Sequence, residues 1–269
     1  MELLGAYGQL GSLGDVVLLL GLSATRVAVA FLLVPLFTAE LIPPLVRNAM
    51  FMSIALLSLA LQPAAAPLAL TSWQWISMFA KEAFIGGAIG ILFAGVMWAF
   101  EAAGQVIDTK VGATQAQIHD PLSGQQTSLN GAFLGRLASF VFMAGGGFMV
   151  MIGTLLESYA LWPVRAPLPA LAESGARLFE SEFGRIMLLT LLIAAPALVL
   201  LYLVDGVLGL VNRFAQQLNV FSLSMSLKAV AATWIVLIQV VTLVQLLQDD
   251  LLARGGIAIR ALRGLLGGG

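Results

Sequence analysis

The sequence predicts an all-α protein built of membrane-type helical hairpins, about six long apolar helices and one amphipathic helix. Three observations carry this. Of its 269 residues 60% are hydrophobic and 10% charged, against roughly half and a quarter in soluble domains. Mean hydropathy is +0.99. The apolar residues fall in long unbroken runs, each near or above the length that crosses a bilayer as a helix.

Taken in order, the first run covers residues 16–37 and ends at Pro35 and the Pro43–Pro44 pair. The second, 45–61, closes at Gln62–Pro63. A Pro/Ala-rich loop then leads to Trp73 and Trp75, placed as interfacial anchors. The third run covers 76–100, with Trp98 at its far end. Residues 132–162 form the fourth, bounded by Tyr159, Trp162 and Pro163. Between them, residues 101–130 are a polar island in an otherwise greasy chain. An irregular polar segment survives at membrane depth only where it is buried in protein, lines a wet cavity or leaves the bilayer. Residues 164–183, with Arg165, Arg177, Glu173, Glu180 and Glu182, read as ordinary surface. The fifth run is 186–204, interrupted by Pro196, and the sixth is 227–247. The segment 206–225 between them reads as an amphipathic helix followed by a short Ser-alternating stretch. Val207, Leu210, Phe214, Leu218 and Phe221 share one stripe, and Asn212, Arg213, Gln216 and Asn219 much of the other.

Charge placement contradicts simple threading. With six spans, Arg47 in the first loop and Arg254, Arg260 and Arg263 in the tail lie on opposite faces, so positive-inside bias assigns no orientation. A net charge of −1 argues against nucleic-acid binding. The absence of Cys removes disulfides, thiolate metal sites and cysteine nucleophiles. The N-terminus, acidic and without Lys or Arg, lacks the basic start of a cleaved signal peptide. The closing LLGGG carries no structural weight.

Charges inside apolar runs are costly and suggest function. Arg26 lies near the middle of the first run, too deep to reach water easily. It requires a buried partner: Glu82, Glu101 or a neighbouring subunit's carbonyls. Lys81 and Glu82 sit in the first turns of the third run, and Glu101 and Arg136 flank the island. Lys81 and Arg136 either extend to the interface from helix ends or act inside. Glu101, Gln105 and Asp108 follow i, i+4, i+7 spacing. A continued helix would show them on one face, as a wet wall or as a helix end leaving the membrane. Small residues recur every four positions at Gly86, Gly90 and Ala94 and at Gly131, Gly135 and Ser139, ridges that let helices approach closely; they suggest that the third and fourth runs pack as a hairpin or against another subunit, with Gly86 and Gly90 at a partner interface. His119 has no second His and no HExxH around it, so no metal site and no catalytic set is read. His119–Asp120–Pro121 reads as a turn. No cofactor is expected, and the chain is not expected to be an enzyme.

Two motifs are specific: AFEAAGQVIDTKVGATQAQIHDPLSGQQTSLNG over 99–131, and LVNRFAQQLNVFSLSMSLK over 210–228. With the opening RVAVAFLLVPLF and LIPPLVRNAM, they resemble the T-subunit (SctT) family of the type III secretion export apparatus, across residues 26–248. The wording VGATQAQ and QQTSL is closer to the virulence members than to the flagellar ones. The resemblance implies a channel-forming export-gate subunit, through which unfolded effector, rod and needle proteins cross the bacterial inner membrane. It implies assembly with R and S subunits and the U switch subunit, in a multi-pass gate that protrudes toward the periplasm. It implies an R-like part over residues 1–183, an S-like hairpin over 184–250 and a tail over 251–269. By this resemblance Gly104, Gln105, Asp108, Lys110, Gln115, His119, Asp120, Gln125 and Gln126 belong to a channel loop. Asn212, Arg213, Phe214, Gln217, Leu218 and Asn219 belong to a partner-facing mouth. The alternative is a stand-alone secondary transporter with a midplane site made by broken helices.

Overall fold

The computed structural model describes residues 13–38, 41–60, 72–112, 118–119, 126–166, 173–214 and 220–265. Seven helices account for most of them: α1 (Leu13–Leu33), α2 (Pro44–Ala60), α3 (Ser72–Val111), α4 (Leu129–Ala144), α5 (Gly147–Leu161), α6 (Glu173–Phe214) and α7 (Val220–Leu265). A single 3₁₀ turn, Pro35–Phe37, follows α1. Two dipeptides, β1 (Ile118–His119) and β2 (Gln126–Thr127), pair antiparallel, with Ile118 opposite Thr127 and His119 opposite Gln126.

The breaks follow local chemistry. Pro44 opens α2, where its missing N–H costs nothing and its fixed φ suits the first turn. The fourth apolar run is two helices rather than one. The Gly145 N–H closes on the Val141 carbonyl at 2.7 Å, and Gly146 takes φ 85°, a left-handed conformation that ends α4. Conversely, α6 runs through Pro196 without interruption. The amphipathic segment is not a separate helix. Its first part is the end of α6, residues 220–225 open α7, and 215–219 lie outside the described residues. Residues 251–265, read from sequence as a tail, continue α7.

The chain divides into two compact units. One comprises Met1–Ala94, Gly146–Glu182 and Leu251–Gly269. Its core includes Leu22, Val27, Ile85, Ile89 and Leu155. An aromatic cluster joins Phe31 to Phe37, Phe51 and Phe148, with ring centroids 4.8, 5.6 and 5.9 Å away. The other comprises Gly95–Gly145 and Phe183–Asp250. It is built on Phe100, Ile107, Leu134, Phe142, Ala197, Leu201 and Ala232.

Among the described residues three helices are long and apolar enough to cross a membrane, making up to four spans if α4 and α5 count as one broken span. They differ in cover. In α3 72% of the most apolar window is buried within the chain, but only 33% in α6 and 22% in α7.

Candidate functional site

Two polar constellations stand inside these apolar helices, one in each unit. The first is a buried charge cluster. Arg26 on α1 and Glu82 on α3 have no exposed surface, and Lys81 is 1% exposed. The guanidinium grips the carboxylate in a fork: Nε donates to Oε2 at 2.7 Å and Nη2 to Oε1 at 3.1 Å. Such bidentate pairs are the strongest ionic hydrogen bonds a protein makes. Lys81 Nζ lies 3.0 Å from the same Oε1. Arg26 Nη1 donates to Ser158 Oγ at 3.0 Å and Nη2 to the Trp162 carbonyl at 2.8 Å. The guanidinium lies 4.1 Å over the Tyr159 ring, whose Oη donates to the Ser23 carbonyl at 2.7 Å.

Lys81 serves the end of α5. Its ammonium donates to the carbonyls of Pro163, Val164 and Ala166 at 3.1, 2.6 and 2.8 Å. Carbonyls at and beyond a helix C-terminus lack intrahelical donors and favour cations. Two cations therefore meet one carboxylate, and polar oxygens at the α5 terminus take their remaining protons. The close α1–α3 contact depends on Gly86 and Gly90. A Cβ at Gly86 would collide with the Arg26 carbonyl, and one at Gly90 would come within 2.7 Å of the Ala30 carbonyl.

The second constellation is the neck of the polar island. The third run does not stop at Phe100: α3 continues to Val111, so the first third of the island is helix. Glu101, Gln105 and Asp108 do not share one environment. Glu101 is half-buried, Gln105 is exposed and Asp108 is 5% exposed. Asp108 reaches α4, where Oδ2 accepts the N–H groups of Asn130 and Gly131 at 2.8 and 3.3 Å, and Oδ1 accepts Asn130 Nδ2 at 2.6 Å. Those are the second and third residues of α4, the donors an N-cap side chain normally satisfies. Ser128 holds the N-cap position but makes no capping bond. The Asp108 carboxylate, 22 positions before Asn130, does its work, adding a negative charge at the helix's positive end. Gly104 permits this approach, since a Cβ there would collide with the Asn130 carbonyl.

From the same turn of α3, Lys110 Nζ lies 2.8 Å from Asp205 Oδ2 on α6 and 4.0 Å from the Tyr202 ring centroid. Lys228 on α7 lies 3.1 Å from Asp205 Oδ1.

Of the other residues singled out from sequence, Arg136 is exposed on α4. Asn212, Arg213 and Phe214 are exposed on the last turn of α6. His119 and Gln126 are opposed across β1–β2. Gln115, Asp120, Gln125, Gln217, Leu218 and Asn219 lie outside the described residues. Among the described residues no group of His, Cys, Asp and Glu could hold a metal ion. Sequence reasoning missed Ser158, Tyr159, Asn130, Asp205 and Lys228 as members of these constellations. Asp205 and Lys228 carried a usable signal, being isolated charges in apolar stretches; the others show no pattern in one dimension.

Residues 17–253 match the family described as bacterial export proteins, family 1. The chain is 32% identical over 217 residues to Yop proteins translocation protein T of Yersinia pestis, covering 79% of this chain and 82% of that protein. It is 32% identical over 221 residues to the surface presentation of antigens protein SpaR of Salmonella typhimurium, with 81% of each covered. To the flagellar biosynthetic protein FliR of Bacillus subtilis it is 26% identical over 244 residues, with 90% and 92% covered.

Proposed function

The chain belongs to the bacterial export proteins, family 1, an integral membrane protein by its apolar helices, and from that premise we propose that it is a channel-forming subunit of a type III secretion export gate in the bacterial inner membrane. Unfolded effector, rod and needle polypeptides are the cargo. R and S subunits and the U switch subunit are its partners, and the gate stands toward the periplasm. Its role is structural, without catalysis or cofactor. Residues 1–183 form the R-like part and 184–250 the S-like hairpin, and Asn212, Arg213 and Phe214 face a partner.

The observation that carries the reading is the neck. A polar segment leaves α3 and returns to α4 at a point where Asp108 clamps both helices. Holding that segment by a charged cap in an apolar chain suits a loop that enters an aqueous passage and narrows it. The transporter alternative draws on helices broken at Pro196 and at the glycine clusters; α6 continues through Pro196, whereas the fourth run does break at Gly145–Gly146.

The test replaces residues 113–125 by a short Gly–Ser linker, which keeps α3 and the Asp108 cap. In the assembled apparatus the expected result is increased leakage of ions and small molecules across the membrane and altered secretion. Leakage and secretion both unchanged would overturn the reading.

A further inference from the structure

On α6 and α7 the charges stop and restart at matching heights. Residues 186–204 of α6 and 229–248 of α7 contain no Asp, Glu, Lys or Arg. Each stretch ends in charges that pair from one helix to the other. At one end Arg185 pairs with Asp250. At the other Lys228 Nζ lies 3.1 Å from Asp205 Oδ1, and Lys110 of α3 lies 2.8 Å from the second oxygen. Arg185 and Asp205 are 20 positions apart, Lys228 and Asp250 22, so the two rims stand about 30 and 33 Å apart along the helices. The hydrocarbon core of a bilayer is about 30 Å thick. All these residues lie in one compact unit.

The surface between the rims suits lipid better than a packed helix. Its exposed side chains are large and apolar, among them Leu188, Leu192 and Val199 on α6 and Val230, Ile238 and Val241 on α7. Where this chain brings helix against helix it uses glycine, as Gly86 and Gly90 do between α3 and α1. The two charge-free stretches contain no glycine. Gly184, Gly206 and Gly209 of α6, each with nothing within 4 Å of its Cβ position, fall just outside them. Of the polar side chains inside, Thr190 and Thr233 donate to carbonyls one turn back and Gln239 Nε2 to the Ile235 carbonyl at 3.2 Å. Gln245 and Gln248 lie within two turns of Asp250. Tyr202, one turn inside Asp205, holds its ring 4.0 Å from the Lys110 ammonium, an aromatic at the boundary where tyrosine is enriched.

We propose that phospholipid acyl chains cover the outward face of α6 and α7 between these rims, in the assembled apparatus as in the chain alone. A charge is costly at membrane depth. Its absence over one hydrocarbon thickness, and its return in pairs at both ends, is what a lipid-facing belt demands; a protein partner sets no such length. Past Asp205 the exposed Val207, Leu210 and Phe214 carry α6 beyond the acyl chains, into the partner-facing end proposed above. The belt does not depend on the channel reading.

The experiment uses the full chain co-assembled with its partner subunits in phosphatidylethanolamine–phosphatidylglycerol bilayers. The chain contains no Cys, so single substitutions carry a spin label without background. Leu188→Cys, Leu192→Cys, Val199→Cys and Val207→Cys sample α6, and Val230→Cys and Ile238→Cys sample α7, all at exposed positions. Leu191→Cys and Val241→Cys, equally exposed, replace any that fails to assemble. Collisions with oxygen, which concentrates in hydrocarbon, are compared with collisions with a water-soluble nickel chelate. The expected oxygen-to-nickel ratio is highest at Leu192, Val199 and Ile238, lower at Leu188 and Val230 near the rims, and lowest at Val207.

Few collisions with either reagent at Leu192, Val199 and Ile238 mean that a subunit covers the face, and frequent nickel collisions there mean that it lines water. Either result overturns the proposal. A ratio at Val207 as high as at Val199 overturns the rim at Asp205. None of these outcomes bears on leakage, which the replacement of residues 113–125 decides separately.

Discussion

Glu82 is the residue on which the buried cluster turns. It is the acid shared by Arg26 and Lys81, so Glu82→Ala leaves two buried cations facing each other. Removing one partner of a buried pair costs about 3–5 kcal/mol. The expected outcome is loss of most folded protein, read as yield and melting temperature in detergent. Arg26→Lys keeps the charge but loses the fork and the contact with Tyr159, and is expected to lie between wild type and Glu82→Ala. Asp108→Ala is milder. It uncaps α4 at a cost of about 1–2 kcal/mol, visible as faster amide exchange at Asn130 and Gly131 with little change in the rest of α4. Arg26 was legible in the sequence because a guanidinium deep in an apolar run must have a partner. Which acid served was not, because Glu82 and Glu101 differ in three-dimensional placement, not in local pattern. Lys81 was ambiguous for a related reason: besides Glu82 its partners are main-chain carbonyls more than 80 positions away, and carbonyls leave no mark on composition.

At the scale of helices, the apolar runs were readable but their ends were not. α3 passes through Glu101, Gln105 and Asp108 because these residues have good or adequate helix propensity and no Gly or Pro stops them before Gly112, Gly104 being tolerated. The break at Gly145–Gly146 was hidden because glycine suits both a packing ridge and a left-handed stop. Substitution separates the two uses of glycine. Gly86→Ala drives a Cβ into the Arg26 backbone, and overpacking of this kind costs about 1–3 kcal/mol. Gly153, in α5, has nothing within 4 Å of its Cβ position. Gly153→Ala is therefore expected to stabilise by up to about 1 kcal/mol through helix propensity. Thermal unfolding of the two variants in the same detergent checks the opposite signs. Arg254, one of the cations behind the contradictory orientation bias, is buried in α7 and ion-paired with Glu182. It is a packing residue and says nothing about sidedness.

Over the whole molecule, cover is unequal. Two-thirds or more of the most apolar window of α6 and of α7 is left uncovered by the chain itself, and the exposed side chains of these helices include Leu188, Leu192, Leu203, Trp234, Ile238 and Val241. Surface of that kind requires lipid, detergent or other subunits. Expressed without partners, the chain is expected to aggregate on detergent dilution; co-expressed with them, it is expected to elute as a defined complex whose native mass gives the stoichiometry. A chain that stays monodisperse alone at low detergent would contradict this. The lengths of the helices bear on how such an assembly is made. At 1.5 Å per residue, α3, α6 and α7, of 40, 42 and 46 residues, measure about 60–69 Å, roughly twice the 30 Å of hydrocarbon in a bilayer. Half of each rod has no fatty acyl chains to stand in. That half has to be covered by protein or to stand in water, and in α6 and α7, where the chain itself covers least, the requirement is greatest.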